Sequence, residues 1–265
     1  MLLCQDEVLE RVSGPGRRKP RAEKRRIEGT YPIDTGFAEI LADPDRDGGY
    51  VLEVNRVPSS YVVPGAPEVL AFEYMGWLAG FVDKQGPFTA VHLGAAGCAL
   101  PSYFAHRFGN RNVAVEVDAA LAALVREVFD PPVEIAVAEA RAFTHALPAG
   151  SVDVLVRDVF AGPSTPRPLT TVEFYRAARR ALAPGGIFLA NVGDAAGLAE
   201  ARAELAGLGE VFAHTAAAGP AEMLAGRAYG NVVVAASDAP LAFAGGVPVK
   251  DGALLCGAAG LARRD

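Results

Sequence analysis

Three carboxylates in the middle of the chain each follow a short apolar segment that is typical of a buried strand. Glu116 closes one such segment, Glu139 follows the next, and Asp158 ends the one after that. Because the carboxyl ends of parallel strands meet at one edge of a sheet, we expect the three side chains to converge where such sheets bind ligands. Carboxylates placed there can accept hydrogen bonds from ribose, meet the polar edge of a purine, or take a proton from a nucleophile.

Each acid also has a simpler structural interpretation. Glu116 would then be a solvated strand end, Glu139 an acid at a helix N-terminus, and Asp158 a cap of its own loop. Their convergence on one sheet edge favours a binding site over three unrelated explanations.

A run of small residues precedes Glu116 by about 20 positions, the spacing seen in nucleotide-binding βαβ units. It comprises Gly94, Ala95, Ala96 and Gly97 and follows an apolar segment. Small side chains let the backbone turn tightly and approach a ligand, while the next helix directs free N–H groups at it. The same run also suits plain packing of a helix on a sheet, and it is the spacing to Glu116 that favours binding.

The surrounding sequence alternates between predicted strands and helices. Continuous apolar strands separated by amphipathic helices predict a parallel sheet that is covered on both faces. We expect strands at 89–93, 112–117, 133–137, 152–156, 186–191, 210–213 and 231–236. We expect helices at 100–107, 119–129, 140–146, 171–182 and 195–208. The predicted fold is therefore α/β, with a Rossmann-like, doubly wound, mostly parallel sheet of seven strands.

The sequence before this alternation predicts a smaller unit. Residues 36–41 and 50–54 have the pattern of short strands, and the turn-forming segment between them is typical of a β-hairpin. Apolar residues then recur at helical spacing from Val69 to Phe81, which predicts a helix beside the site. We expect a basic arm at 1–30, a β-hairpin subdomain at 31–66, the nucleotide-binding domain at 67–240 and a C-terminal tail at 241–265.

Composition narrows the class of protein. The chain has 265 residues, of which 51% are hydrophobic and 21% charged, and this excludes a mainly disordered protein. Its three cysteines and four histidines have neither disulfide nor metal-ligand spacing, so we expect no metal. No segment is apolar for long enough to span a membrane, and the acidic first ten residues are unlike a secretory signal peptide. We therefore expect a cytoplasmic protein.

Charge is distributed unevenly along the chain. Residues 17–26 hold seven of the basic side chains, although the formal net charge of the whole chain is −6. We expect a solvated flexible arm, with weak contacts to nucleic acid or another acidic partner as the alternative. The acidic remainder indicates that nucleic acid is not the main ligand.

Several runs taken together resemble a known family. They lie at 91–118, 137–141, 153–158, 162–163, 169–175 and 182–186. The runs resemble the class I S-adenosylmethionine-dependent methyltransferase fold and, more closely, the spermidine synthase (aminopropyltransferase) family, over roughly residues 38 to 236. The resemblance implies a polyamine-biosynthesis transferase with S-adenosylmethionine or its decarboxylated form as co-substrate. It also implies an amine or other nucleophilic acceptor, and a homodimer.

The resemblance assigns roles to individual positions. Glu116, with Val117 beside it, would hold the ribose, and Glu139 with Ala140 would line the adenine. Asp158 matches the first acid of the family's Asp-x-x-Asp element, which implies the base that positions the amine and takes its proton. The loop at 94–97 would complete the co-substrate site. Residues expected near the acceptor are Tyr61, Glu73, Tyr74 and Ser164.

The sequence departs from the family pattern both in the co-substrate loop and where the family binds its diamine. Gly97 stands in place of the acid of the glycine-rich loop that would pair with the co-substrate's amino group, and Ala161 replaces the second acid of Asp-x-x-Asp. Ala71 and Phe72 replace a tyrosine and a polar residue on the covering helix. Burying a dication without paired acids is unfavourable, so we expect poor use of putrescine. Aminopropyl transfer to another acceptor, methyl transfer from S-adenosylmethionine, and a catalytically silent relative remain as alternatives.

Overall fold

The computed structural model of the protein describes residues 27–82, 87–162, 164–257 and 260–265. The charge run at 17–26 and Pro163 of the loop after Asp158 lie outside these residues. The N-terminal unit is a four-stranded antiparallel sheet, where the sequence predicted one hairpin. Its strands, in spatial order, are β1 (Gly29–Ile33), β2 (Gly36–Ala42), β3 (Tyr50–Val54) and β4 (Val57–Val62).

The two additional strands lack an apolar pattern because they form the edges of this small sheet. Pro32 lies in β1 and Pro58 in β4, and an edge strand tolerates the missing N–H of proline. The predicted pair, β2 and β3, forms its antiparallel centre.

The second sheet has eight strands in the order β12-β10-β11-β9-β8-β5-β6-β7. These are β5 (Thr89–Leu93), β6 (Arg111–Glu116), β7 (Glu134–Val137), β8 (Val152–Arg157), β9 (Leu182–Asp194), β10 (His214–Ala218), β11 (Gly230–Ser237) and β12 (Val249–Asp251). Strands β5 to β9 are mutually parallel, and β10, β11 and β12 pair in antiparallel fashion. The architecture confirms the predicted α/β, doubly wound and mostly parallel fold.

Two details of the predicted sheet were wrong. The eighth strand, β12, is a three-residue exposed edge that pairs with β10, and so short a segment carries no apolar signal. The strand predicted at 210–213 lies instead at β10, because Val211 and Phe212 are buried just after a helix rather than in the sheet.

Of the described helices, the first six follow the predicted order, and the last two, both short, were not predicted. The helices are α1 (Glu73–Gly80), α2 (Ala99–Phe108), α3 (Ala119–Val128), α4 (Ala140–Ala146), α5 (Val172–Ala181), α6 (Ala199–Gly209), α7 (Ala221–Leu224) and α8 (Gly252–Cys256). Helix α1 begins later than the apolar spacing from Val69 predicted. Among the described residues, none of the helices has the length and hydropathy of a membrane span.

Successive side chains of each strand point to opposite faces of the sheet, so they pack into two separate cores. On β5, Val91 and Leu93 pack with α4, α5 and α6, whereas Ala90 packs with α1 and α2. The N-terminal sheet shares a third core with α3 and the start of α2. The small sheet is thereby packed against the loop that follows β5.

Candidate active site

A cavity of about 1200 Å³ opens where the carboxyl ends of β5, β6, β8 and β9 meet. It lies at the point where the strand order reverses, between β5 and β8, which is where open α/β sheets bind ligands. Parts of β4 and α1 complete its wall. The predicted site residues in that wall are Glu73, Tyr74, Gly94, Ala95, Ala96, Glu116, Val117 and Asp158.

The loop after β5 passes so close to β8 that its first residue must be glycine. Gly94 has a φ of +89°, and a Cβ there would overlap the backbone carbonyl of Asp158. Ala96 and Cys98 also have positive φ values, +39° and +58°. A left-handed backbone costs a residue with a Cβ about 1–2 kcal/mol, so this loop holds conformational strain.

Gly97 lies against the N-terminal sheet. Its N–H donates to Ser60 Oγ at 2.9 Å, and a Cβ would lie 2.8 Å from Ser60 Cβ and 2.9 Å from Val62 Cγ2. The resemblance implies an acid at this position, whereas in this chain a Cβ there would overlap side chains of β4. Ser60 is itself buried, so the contact excludes water.

Glu116 ends β6 and faces the cavity. Its Oε2 accepts from the Ala96 N–H at 3.2 Å and its Oε1 from the Asp118 N–H at 3.1 Å. Burial raises the pKa of Glu116, and these backbone N–H groups oppose the rise. Val117, beside it, is 61% exposed and offers an apolar surface at the cavity wall.

Asp118 fixes the N-terminal sheet in place. Its carboxylate accepts from the Asp34 and Thr35 N–H groups at 3.1 and 2.7 Å and caps α3 through the Leu121 N–H at 2.8 Å. In return, Asp34 accepts from the N–H groups of Ala119 and Ala120. This reciprocal capping holds the turn between β1 and β2 at the start of α3, next to Glu116.

Asp158 follows β8 and is held through both of its oxygens. Oδ2 accepts from the Tyr74 hydroxyl and Oδ1 from Asn191 Nδ2, each at 2.9 Å. Asn191 Oδ1 in turn accepts from Asn231 Nδ2 at 2.8 Å. Burial raises the pKa of Asp158, while hydrogen bonds from Asn191 and Tyr74 limit the rise. Burial and the Asp158 charge raise the pKa of Tyr74 far above its usual range, so its hydroxyl remains a donor.

A buried ion pair lies behind this group. Arg157 Nη1 is 2.7 Å from Glu204 Oε2, and both side chains are at most 1% exposed. Tyr175 donates its hydroxyl to the same oxygen, and Arg157 Nη2 donates to the Asn191 carbonyl at 3.0 Å. The pair therefore fixes the strand β9 at the residue that orients Asp158.

Other predicted site residues lie outside the cavity wall. Glu139 is an exposed N-cap of α4 that accepts from the Arg141 and Ala142 N–H groups. Ala140, the first residue of α4, is buried in the core on the α4–α6 face of the sheet. Tyr61 donates to Asp43 at 2.6 Å, within the N-terminal unit. Ser164 is exposed, and its carbonyl accepts from the Ala161 N–H at 2.8 Å.

The sequence reasoning missed two amides that the site uses. Asn191 closes a predicted strand, so the rule that selected Asp158 also applies to it. Asn231 is the first polar residue of β11, which runs antiparallel to β9. Because an antiparallel strand starts at the edge where the parallel strands end, polar residues at its start are also candidates for the site. The wall also contains residues that sequence reasoning did not place there, including Ser60, Leu100, His92 and Tyr229.

The fold is shared with proteins of known structure. The chain is 39% identical to a probable spermidine synthase from Corynebacterium glutamicum ATCC 13032, over 90% of this chain and 96% of that one, with a TM-score of 0.83. A spermidine synthase from Thermotoga maritima is 19% identical, with 80% and 72% of the two chains covered and a TM-score of 0.57. A spermidine synthase in complex with the transition state analogue AdoDATO is 20% identical, with the same coverage and a TM-score of 0.54.

The two more distant structures support the fold alone, whereas the Corynebacterium protein matches along almost its whole length. No protein-family profile and no curated protein sequence matches the chain. At 39% identity over 90% of its length, the chain belongs to the spermidine synthase-like family of transferases, with the class I S-adenosylmethionine-dependent methyltransferase fold.

Proposed function

We propose that the protein transfers an aminopropyl or related alkyl group from S-adenosylmethionine, or from its decarboxylated form, to an amine, with Asp158 as the base. The observation that carries the proposal is the placement of Asp158. Its two oxygens accept hydrogen bonds from Tyr74 and Asn191, and it lines the same cavity as Glu116. One carboxylate thus serves the nucleoside and another the nucleophile.

The nucleoside end of the cavity has suitable groups for an adenosine. In the proposal, the Glu116 carboxylate accepts hydrogen bonds from the two ribose hydroxyls. Val117 contacts the adenine base, and the loop at 94–97 contacts the rest of the co-substrate. Backbone N–H groups already orient Glu116, so little reorganisation accompanies binding. The adenine contact predicted for Glu139 and Ala140, at the start of α4, remains part of the proposal.

Asp158 has capacity left for a substrate proton. Each carboxylate oxygen can accept a second hydrogen bond besides the one that it receives from Tyr74 or Asn191. When the neutral amine attacks the carbon next to the sulfonium, a C–N bond forms and the C–S bond breaks, with its electron pair going to sulfur. The ammonium that results releases one proton to Asp158. The sulfonium supplies the leaving group, so the protein has only to align the amine and accept the proton.

Methyl transfer is the second candidate, and Gly97 is the specific observation in its favour. The family's acid at this position would pair with the amino group of the decarboxylated co-substrate, and the contact with Ser60 leaves no space for such an acid. Without that carboxylate, the pocket does not repel the carboxyl group of S-adenosylmethionine itself.

The test replaces Asp158 by Asn in the full-length protein. Co-substrate, in either form, is incubated with a panel of amines, and products are identified by mass spectrometry. We expect Asp158→Asn to lower turnover about 10²- to 10⁴-fold, the usual contribution of a positioned base, with co-substrate affinity within a few fold of wild type. Asp238→Asn, an exposed acid paired with Arg179, is the matched control. Undiminished turnover in Asp158→Asn would remove the assigned role.

The family resemblance also supports a homodimer and a place in polyamine metabolism within the cytoplasm. These remain predictions. Sedimentation of the purified chain tests the first, because a homodimer has twice the mass of 27.6 kDa.

A further inference from the structure

One buried polar group in the cavity wall has no function in the chemistry described above. His92 lies on β5, two residues before Gly94, and is 2% exposed. Its ring packs edge-on against Phe104 with the centroids 5.0 Å apart. In the described part of the chain, His92 Nδ1 has no hydrogen-bond partner. An unpaired buried polar atom is unfavourable, and because His92 lines the cavity, its Nδ1 is a candidate contact for a ligand group.

The neighbouring amides define which nitrogen carries the proton. Asn112 Nδ2 donates to the Asn110 carbonyl at 3.0 Å, so Asn112 Oδ1 is an acceptor. His92 Nε2 lies 2.9 Å from that oxygen and therefore donates to it. Burial lowers the pKa of His92 to about 4, so the ring is neutral at neutral pH. Nδ1 is left as an uncharged acceptor.

Apolar side chains line the same cavity as His92. They include Met75, Trp77, Leu100 and Val156, and Val156 pairs with His92 across β5 and β8. The carboxylates in the described wall are Glu73, Glu116, Asp118 and Asp158. Glu116 serves the proposed nucleoside end, and Asp118 is committed to capping α3. Glu73 is exposed to solvent, which screens its charge, so Asp158 is the carboxylate that we expect to balance the charge of a bound amine.

We propose that the acceptor is an amine with an apolar chain whose far end carries one neutral hydrogen-bond donor, a hydroxyl or an amide N–H, that donates to Nδ1 of His92. The inference rests on the proposed function, because it places the amine end at Asp158. A primary amino alcohol is the simplest member of this class. A diamine of the same length would bring its second ammonium against apolar groups and a neutral imidazole, without a carboxylate partner.

The test compares acceptors of equal length on the full-length protein. The probes are 5-amino-1-pentanol, n-pentylamine and cadaverine, each with its shorter and longer homologue. Binding is measured by calorimetry on protein saturated with methylthioadenosine, and transfer is measured separately with each form of the co-substrate. We expect the amino alcohol to bind about tenfold more tightly than the alkylamine, the ordinary effect of one buried hydrogen bond, and the diamine to bind least.

Two variants assign that preference to His92. His92→Leu removes the acceptor and should bring the amino alcohol to the affinity of the alkylamine. His92→Asn retains an acceptor oxygen close to the position of Nδ1 and should keep part of the preference, and thermal unfolding checks that both variants fold.

The outcomes separate this inference from the proposed function. Binding in the expected order without transfer would overturn the proposed chemistry and leave the acceptor site standing. Transfer with the diamine preferred would overturn the inference alone. Absence of amine binding, or a hydroxyl preference that persists in His92→Leu, would also overturn the inference.

Discussion

The two ends of the cavity are built differently. At the end that we propose for the nucleoside, backbone groups define the geometry: Gly94 permits a close approach to β8, and N–H groups orient Glu116. At the end that we propose for the acceptor, side chains from three separate elements hold Asp158, namely Tyr74 on α1, Asn191 on β9 and, through it, Asn231 on β11. The first end depends on the path of one loop and the second on several distant elements packing together.

Departures from the family pattern occur at both ends of the cavity. In the loop after β5, Ala96 and Cys98 have a left-handed backbone at positions where the resemblance implies glycine, so this loop holds strain. Side chains that reach in from α1, β9 and β11 can change while the sheet stays intact. The family pattern implies acids where this chain has Gly97, in the loop after β5, and Ala161, after β8. Around Asp158, the chain presents the phenol of Tyr74 and the amides of Asn191 and Asn231.

The largest effect should come from the ion pair behind the acceptor end. Glu204→Gln leaves the buried Arg157 charge without its carboxylate counter-ion, which typically costs about 3–5 kcal/mol. The free energy of unfolding from denaturant titration measures this. Glu222→Gln, whose partner Arg227 is exposed, should leave that free energy nearly unchanged. Equal stability of the two variants would show that Arg157 is balanced by other groups.

At the proposed nucleoside end, a single methyl group added at Gly94 should lower the stability of the protein the most. Gly94→Ala adds about 1–3 kcal/mol of overlap with the Asp158 carbonyl to about 1–2 kcal/mol of left-handed strain. Gly109→Ala is the matched control, since Gly109 has a φ of +61° with open space around its Cβ position, so only the strain applies. Thermal unfolding compares the two, and an equal loss would contradict the close approach.

The acceptor end should show its hydrogen bonding in a pH profile. Asp158 must be ionised to act, and burial raises its pKa, so activity should fall with decreasing pH at a midpoint above the ordinary aspartate value. Tyr74→Phe removes a donor to the carboxylate and should move this midpoint further upward, lowering kcat/KM on the acid limb about tenfold.

The matched control for that profile is Tyr31→Phe. The Tyr31 hydroxyl donates to the Ile27 carbonyl in the N-terminal sheet. A midpoint that moves downward in Tyr74→Phe would contradict the role of Tyr74.

The smallest effect concerns strain in the loop. Ala96→Gly removes about 1–2 kcal/mol of left-handed strain from the folded state. Glycine also raises the conformational entropy of the unfolded chain, which lowers the stability by about 0.4–1 kcal/mol. We expect a net gain of roughly 0.5 kcal/mol in the free energy of unfolding. Ala105→Gly, inside α2, should instead lose about 0.5–1 kcal/mol. A loss in both variants would show that Ala96 is not strained.

The local patterns predicted the central sheet because its strands are buried on both faces. The strand at 89–93 and the helix at 140–146 have the predicted bounds. The edge strands β1, β4 and β12 were not predicted, because they contain prolines or exposed residues in place of an apolar pattern.

From the sequence, only those site residues that lie at the ends of parallel strands could be predicted. Glu116 and Asp158 are two of them, since Glu116 ends β6 and Asp158 directly follows β8. Ser60 was missed because its role depends on how the N-terminal sheet packs against Gly97, a contact between residues 37 positions apart. Asp118 was not predicted for the same reason, because its role depends on a contact with the turn between β1 and β2, which is distant in the sequence.

Titration with nucleosides tests the central claim most directly. S-adenosylmethionine, its decarboxylated form and methylthioadenosine are titrated calorimetrically into wild type, Glu116→Gln and the exposed control Glu134→Gln. We expect at least one of the three nucleosides to bind. Glu116→Gln should weaken this binding about 10- to 100-fold, as expected for the loss of hydrogen bonds to a charged group, while Glu134→Gln should not. Absence of binding by all three, or equal affinity in Glu116→Gln, would contradict the central claim.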